Sequence, residues 1–166
     1  MSDQSCCFVD VQGFQCDKTF ILKELALQNL HGTVQEHYLF RPPFEFCELS
    51  QKDQITNSWL TRKNHCLDWY CGELKYNRFM VVLERIARTY SCIYVKGKMK
   101  RDWMLDYVPR HCKIINLEHL GCPPLLDLSF IPTISCCLNH PSCALSIASR
   151  LRTWYISNDT TTSGSF

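Results

Sequence analysis

Hydrophobic and polar positions change their period once along this chain, and the change divides it. Residues 6–12 (CCFVDVQ) form a short apolar run stopped by Gly13, the pattern of a buried strand. The segment from Phe20 to Gln28 (FILKELALQ) alternates. It places Phe20, Leu22, Glu24 and Ala26 on one face, and Ile21, Lys23, Leu25 and Leu27 on the other. Asn29 to Gly32 supplies turn chemistry, and His37 to Arg41 reads as a third strand ended by Pro42-Pro43. Three consecutive strands joined by short turns predict an antiparallel meander.

The period then lengthens to that of helices. Ser50 is placed to cap a helix running through Ile55 and Trp59. Between Leu74 and Tyr90, the spacing of Phe79, Val82, Leu83 and Ile86 makes one buried helical stripe. Ser91 to Val95 is strand-like, Met99 to Tyr107 helical with Trp103, Met104 and Tyr107 together, and Lys113 to Leu117 a further short strand. Gly121 to Pro124 breaks the chain, and Pro141 opens a last helix through Ala144, Ile147, Ala148 and Leu151 to Tyr155. From Ser157 the tail is polar and is expected to be disordered, leaving one domain over residues 1–156. The order predicts an α/β fold: a mixed sheet covered by helices.

Composition narrows the function classes. With 166 residues, 46% hydrophobic and 20% charged, the chain is long and apolar enough for a globular core. A net charge of +2 is too small to argue for nucleic acid, so any basic surface must come from clustering. No apolar run approaches the ~18 residues that span a bilayer, and Met1 to Ser5 shows no leader, so an intracellular, soluble protein with no membrane partner is expected. Twelve cysteines without a leader, including the adjacent pairs Cys6-Cys7 and Cys136-Cys137, are read as reduced thiols. Most serve as small core residues, and a few as metal ligands.

The metal-binding candidate is Cys137-x-x-His140-x-x-Cys143, a loop that runs into the last helix. Zinc takes four N, S or O donors in a tetrahedron, and ligands three residues apart can wrap one ion. The fourth donor must be remote; Cys122, Cys136 and Cys112 are possible from the sequence, and Glu24 shares a strand face with Phe20 and Leu22, where a buried carboxylate needs a partner. Four protein ligands make a structural site. The second candidate is the cluster Lys96, Lys98, Lys100 and Arg101 beside Tyr94 and Trp103, read as phosphate contacts with a stacking platform for single strands, or as a solvated turn with a core tryptophan. Arg150 and Arg152 are candidates to extend that patch, each equally an ordinary surface residue. Asn64-His65-Cys66 and His111-Cys112 put a base beside a thiol but offer no third member, and are read as structural.

Several of these residues resemble a known family. Phe8-Val9-Asp10-Val11-Gln12-Gly13-Phe14 is similar to the opening strand of the DEDDh exonucleases, which have an RNase H-like fold. Phe20 to Leu27 and Tyr38 to Pro42 are similar to their next two strands. Ile93 to Gly97 is similar to the strand before their third acid, and Cys143-Ala144-Leu145-Ser146-Ile147-Ala148 to their last motif. Asp10 matches the first catalytic acid, but Gln12 stands at the second. Three lysines lie near the third, with Asp102 beyond, and Ser142 and Ile147 replace the last His and Asp. One acid does not hold two divalent cations, so two-metal hydrolysis is not expected. The Maelstrom domain of small-RNA silencing, a relative that lacks those acids and has a Glu-Cys-His-Cys zinc motif, is the closer resemblance. It implies Glu24, Cys137, His140 and Cys143 as zinc ligands, with Cys122 the alternative to Glu24.

The expected function is therefore a catalytically degenerate, zinc-stabilised module that binds single-stranded RNA or acts as a scaffold, in the manner of small-RNA silencing. Two alternatives remain: an unconventional endoribonuclease using Asp10, Lys96 and His140, and a protein-interaction domain of mobile-element or viral origin.

Overall fold

The alternation over residues 6–29 builds one long hairpin: β1 (Cys6–Cys16) and β2 (Thr19–Asn29) pair antiparallel along their length. Gly13 does not stop the strand, as the sequence pattern predicts. It sits at a bulge where the register shifts after Gln12, and a Cβ there would lie 2.1 Å from the Ile21 carbonyl oxygen. Glycine lets the strands approach at the bulge, so the hairpin continues beyond it.

The computed structural model describes residues 5–129 and 142–162. β3 (Gln35–Leu39) pairs antiparallel with β2, while β4 (Cys92–Val95) and β5 (Lys113–Asn116) add parallel to β1. The five-stranded mixed sheet has the order β3-β2-β1-β4-β5. Four helices flank it: α1 (Gln51–Lys63), α2 (Arg78–Thr89), α3 (Lys98–Leu105) and α4 (Ala144–Thr162).

Strand alternation divides the core in two. Cys7, Val9 and Val11 meet the α2 stripe of Phe79, Val82, Leu83 and Ile86, together with Met104 of α3. Phe8 and Tyr94 face the other way, onto Ile147 and Leu151 of α4. Each fully buried aliphatic side chain contributes about 1.5–3 kcal/mol of transfer free energy. Cys7, Cys92, Cys112, Cys122 and Cys143 are all buried, as small core residues or beside the candidate site below.

One helix packs through polar contacts, and another departs from its expected bounds. Ser50 caps α1 as predicted, accepting from the Asp53 amide at 3.2 Å, but Ile55 and Trp59 point to solvent and the buried residues are Asp53 and Asn57. These polar side chains fasten the hairpin end: Asn57 accepts from the Gln15 amide at 2.8 Å and donates to its carbonyl at 2.7 Å, and Asp53 accepts from the Asp17 amide at 2.8 Å. Hydrogen bonding to exposed strand backbone decides the face of α1 where its apolar residues are too few. The last helix begins at Ala144 and continues to Thr162, past the expected end at Tyr155. The segment expected to be disordered from Ser157 thus continues the helix, with Ser157 and Asn158 donating to carbonyls one turn back at 2.9 Å each. Among the described residues no helix is long and apolar enough to cross a membrane.

Lys23 is the least expected core residue. It is 1% exposed on β2, and its ammonium donates to the carbonyls of Trp69, at 2.5 Å, and Cys71. Burial holds its pKa below the usual lysine value. The amine ties the segment after α1 to the sheet.

Candidate metal centre

β2 and β3 pair with Glu24 opposite Leu39 and Ala26 opposite His37. Glu24 and His37 therefore lie on the same face, on a cross-strand diagonal. That face is the one covered by the start of α4, where Ala26 packs with Cys143, Ala144 and Leu145. The result is a constellation of Glu24, His37 and Cys143 whose ligand atoms all lie within 4.8 Å of one another. Glu24 and Cys143 are buried, and the His37 side chain is 12% exposed.

The carboxylate is held from two sides. His37 Nε2 lies 2.6 Å from Glu24 Oε1, and the Ala144 amide donates to the same oxygen at 3.1 Å. A carboxylate at a helix N-terminus is stabilised by the unpaired amides and the helix dipole. The donors are one carboxylate oxygen, one imidazole nitrogen and one thiol sulfur, a set that suits zinc and does not suit magnesium or calcium. Tetrahedral zinc sets its ligand atoms about 3.3–3.8 Å apart. A cation entering here would open the short Glu24–His37 contact by under about 1 Å and take the place of the proton the two residues share.

The structure brings together two of the zinc ligands implied by the resemblance, Glu24 and Cys143, and adds His37, which the sequence analysis missed. Its signal existed only in the strand register: nothing in the sequence says which residue of β3 faces Glu24. Cys137 and His140, like Cys136, lie outside the described residues. Cys122 does not join the group. Its thiol is buried with Phe8, Cys92 and Leu117, 3.7 Å from the Pro123 carbonyl. Cys112 is buried on the opposite side of the sheet, among the residues that meet α2.

A second buried carboxylate lies one strand away. Asp10 is 1% exposed on β1, opposite Ala26. Lys100 Nζ donates to its Oδ1 at 2.6 Å, and Gln12 Nε2 to its Oδ2 at 2.8 Å. Burial raises the Asp10 pKa, and the lysine and glutamine oppose the rise. Asp10, Lys96, Lys100 and Glu118 border a cleft of about 340 Å³ with Ile147 of α4.

Each cation of the remaining predicted cluster sits beside an acid, and Lys98 and Arg101 share one. Lys96 pairs with Glu118 at 3.1 Å, Lys98 with Asp102, and Arg101 with Asp102 at 3.3 Å. Trp103, read as a stacking platform or a core residue, is 9% exposed and packs edge-on against Phe20 and beside Phe79 and Tyr107. It belongs to the core because α3 turns its apolar side to the sheet. Arg150 and Arg152 spend their guanidinium groups on backbone carbonyls, of Leu125, Leu128 and Ser129 for the first and Leu30 for the second. His65 is buried against the Gly13 carbonyl at 2.9 Å and accepts from the Leu67 amide at 3.0 Å. His111 meets the Ala87 carbonyl at 3.1 Å. Both imidazoles are tied to backbone groups.

No protein-family model matches the chain, and no curated protein matches its sequence.

Proposed function

We propose that this chain is a non-hydrolytic α/β module, stabilised by one zinc ion, that binds single-stranded nucleic acid, RNA foremost. The observation that carries the reading is the fate of the two buried carboxylates. Glu24 is grouped with an imidazole and a thiol, neutral or ionisable donors that a zinc ion can share. Asp10 is matched to the Lys100 ammonium, which takes the place of an external cation. Glu24, His37 and Cys143 would hold the metal, and the fourth ligand falls to Cys137 or His140 of the same motif. Zinc here would supply a structural cross-link between β2, β3 and the start of α4.

The resemblance to the Maelstrom domain supports this reading, as does the element order: an antiparallel meander followed by two strands parallel to β1. The RNase H-like identity of the sheet and a place in small-RNA silencing belong to the same proposal.

Metal analysis of the purified protein tests the first half. The expected result is about one zinc per chain, lost in both Cys143→Ser and His37→Ala. A well-folded wild type without zinc would sink it. The second half is tested by fluorescence anisotropy with a labelled single-stranded RNA. An affinity that weakens steeply with salt is expected, and no binding at low salt rejects it.

A further inference from the structure

The cations that the sequence groups together each sit beside an acid, so cations without such a partner are better placed to meet a polyanion. Arg41 and Lys75 are exposed and stand side by side. Phe40 bridges to Leu74 in parallel register, and the Arg41 amide donates to the Leu74 carbonyl at 2.7 Å. The approach depends on Gly72, at φ 126°, where a Cβ would lie 2.5 Å from the Phe40 carbonyl carbon. Among the described residues neither cation forms an ion pair, and Glu73, the nearest acid in sequence, joins neither. Like charges at neighbouring positions repel, and among the described residues no ion pair relieves them.

Both residues border an open cleft of about 370 Å³, completed by Pro42, Pro43, Tyr76 and Asn77. Tyr76 is half-buried against the core formed with α2, so its ring is held in place. The cleft thus offers two unpaired cations, an amide, and a rigid surface of prolines with a fixed aromatic ring. Charge together with a flat apolar surface suits a phosphodiester whose base stacks beside it. An acidic or phosphorylated peptide would use the charges and leave the flat surface idle.

We infer that the Arg41–Lys75 cleft is the phosphate-contacting site for single-stranded nucleic acid, in place of the Lys96–Arg101 cluster. This rests on the nucleic-acid reading above. The two positions are exposed, so Arg41→Gln with Lys75→Gln is expected to fold with an unchanged or slightly raised melting temperature.

The test is anisotropy of the full chain with a labelled single-stranded RNA, comparing that double variant with Lys98→Gln plus Arg101→Gln. The cleft variant is expected to lose about tenfold or more in affinity, and the slope of log K against log salt to fall by about 1.4. The control pair should stay within about twofold of wild type. Equal losses in both pairs, a loss confined to the control pair, or unchanged binding by the cleft variant overturns the inference and leaves the module's binding activity standing. Displacement of the RNA by a phosphopeptide at lower concentration than by unlabelled RNA also overturns it. A wild type that binds no RNA at low salt rejects the underlying function instead.

Discussion

Asp10 and Glu24 are both buried carboxylates on adjacent strands, facing the same helix, yet the fold treats them differently. In the β1–β2 ladder Gln12 lies opposite Glu24, and Asp10 opposite Ala26. Asp10 is answered by a lysine side chain from α3 and Glu24 by a histidine from β3, a helix amide and a thiol. An ammonium carries its full charge into the site and has no lone pair to share, so it closes Asp10 to external cations. Imidazole and thiol can give up protons and become ligands, so the Glu24 site can open to a metal. Neighbouring acids on one sheet face can thus be committed to opposite uses by the residues opposite them.

The sharpest way to break this comparison is to remove the metal proposed for the Glu24 site. Chelation, or Cys143→Ser, is expected to cost on the order of 5 kcal/mol or more, read as a collapse of the thermal transition. A chelator that leaves the melting temperature unchanged would make the two sites alike. Next in size is Lys100→Met, which leaves Asp10 buried without its cation. It should cost about 3 kcal/mol at pH 7 by urea denaturation.

The pH dependence of that variant has a definite sign. Burial already holds Asp10 above its ordinary pKa, and losing the lysine raises it further. Between the ordinary and the raised value the folded state binds more protons than the unfolded state, so stability falls as pH rises through that window. The deficit of Lys100→Met relative to wild type should therefore be smaller at pH 5 than at pH 7. An identical deficit at both would mean that Asp10 does not depend on Lys100. The smallest effect sharpens the comparison: Gln12→Ala removes one hydrogen bond from a neutral amide to the Asp10 carboxylate and should cost about 1.5–2 kcal/mol, whereas Glu24→Gln should abolish metal retention.

Much of the architecture was legible along the chain. The α2 stripe of Phe79, Val82, Leu83 and Ile86 is buried as its spacing predicts, and Ser50 caps α1. The errors have local physical causes. Gly13 reads as a stop and is a bulge, because glycine permits close backbone approach as readily as a turn. The helix α1 was legible but its buried face was not: two polar residues bonded to strand backbone, Asp53 and Asn57, occupy it. Trp103 reads either as a platform beside the lysines or as a core residue, and packing against Phe20, Phe79 and Tyr107 decides for the core.

The order of elements, the α/β class and the buried stripes were determined by the sequence alone, because they depend on period, turn chemistry and residue type within short windows; Cys143 was a candidate ligand by its spacing, and Glu24 by resemblance. Which charges cancel was decided only by the tertiary structure. His37 meets Glu24 through a strand register, Lys100 reaches Asp10 across 90 positions of sequence, and Arg41 stands beside Lys75 through a bridge that Gly72 permits. Electrostatic pairing acts over a few Å in space and is indifferent to distance along the chain, so no local pattern encodes it.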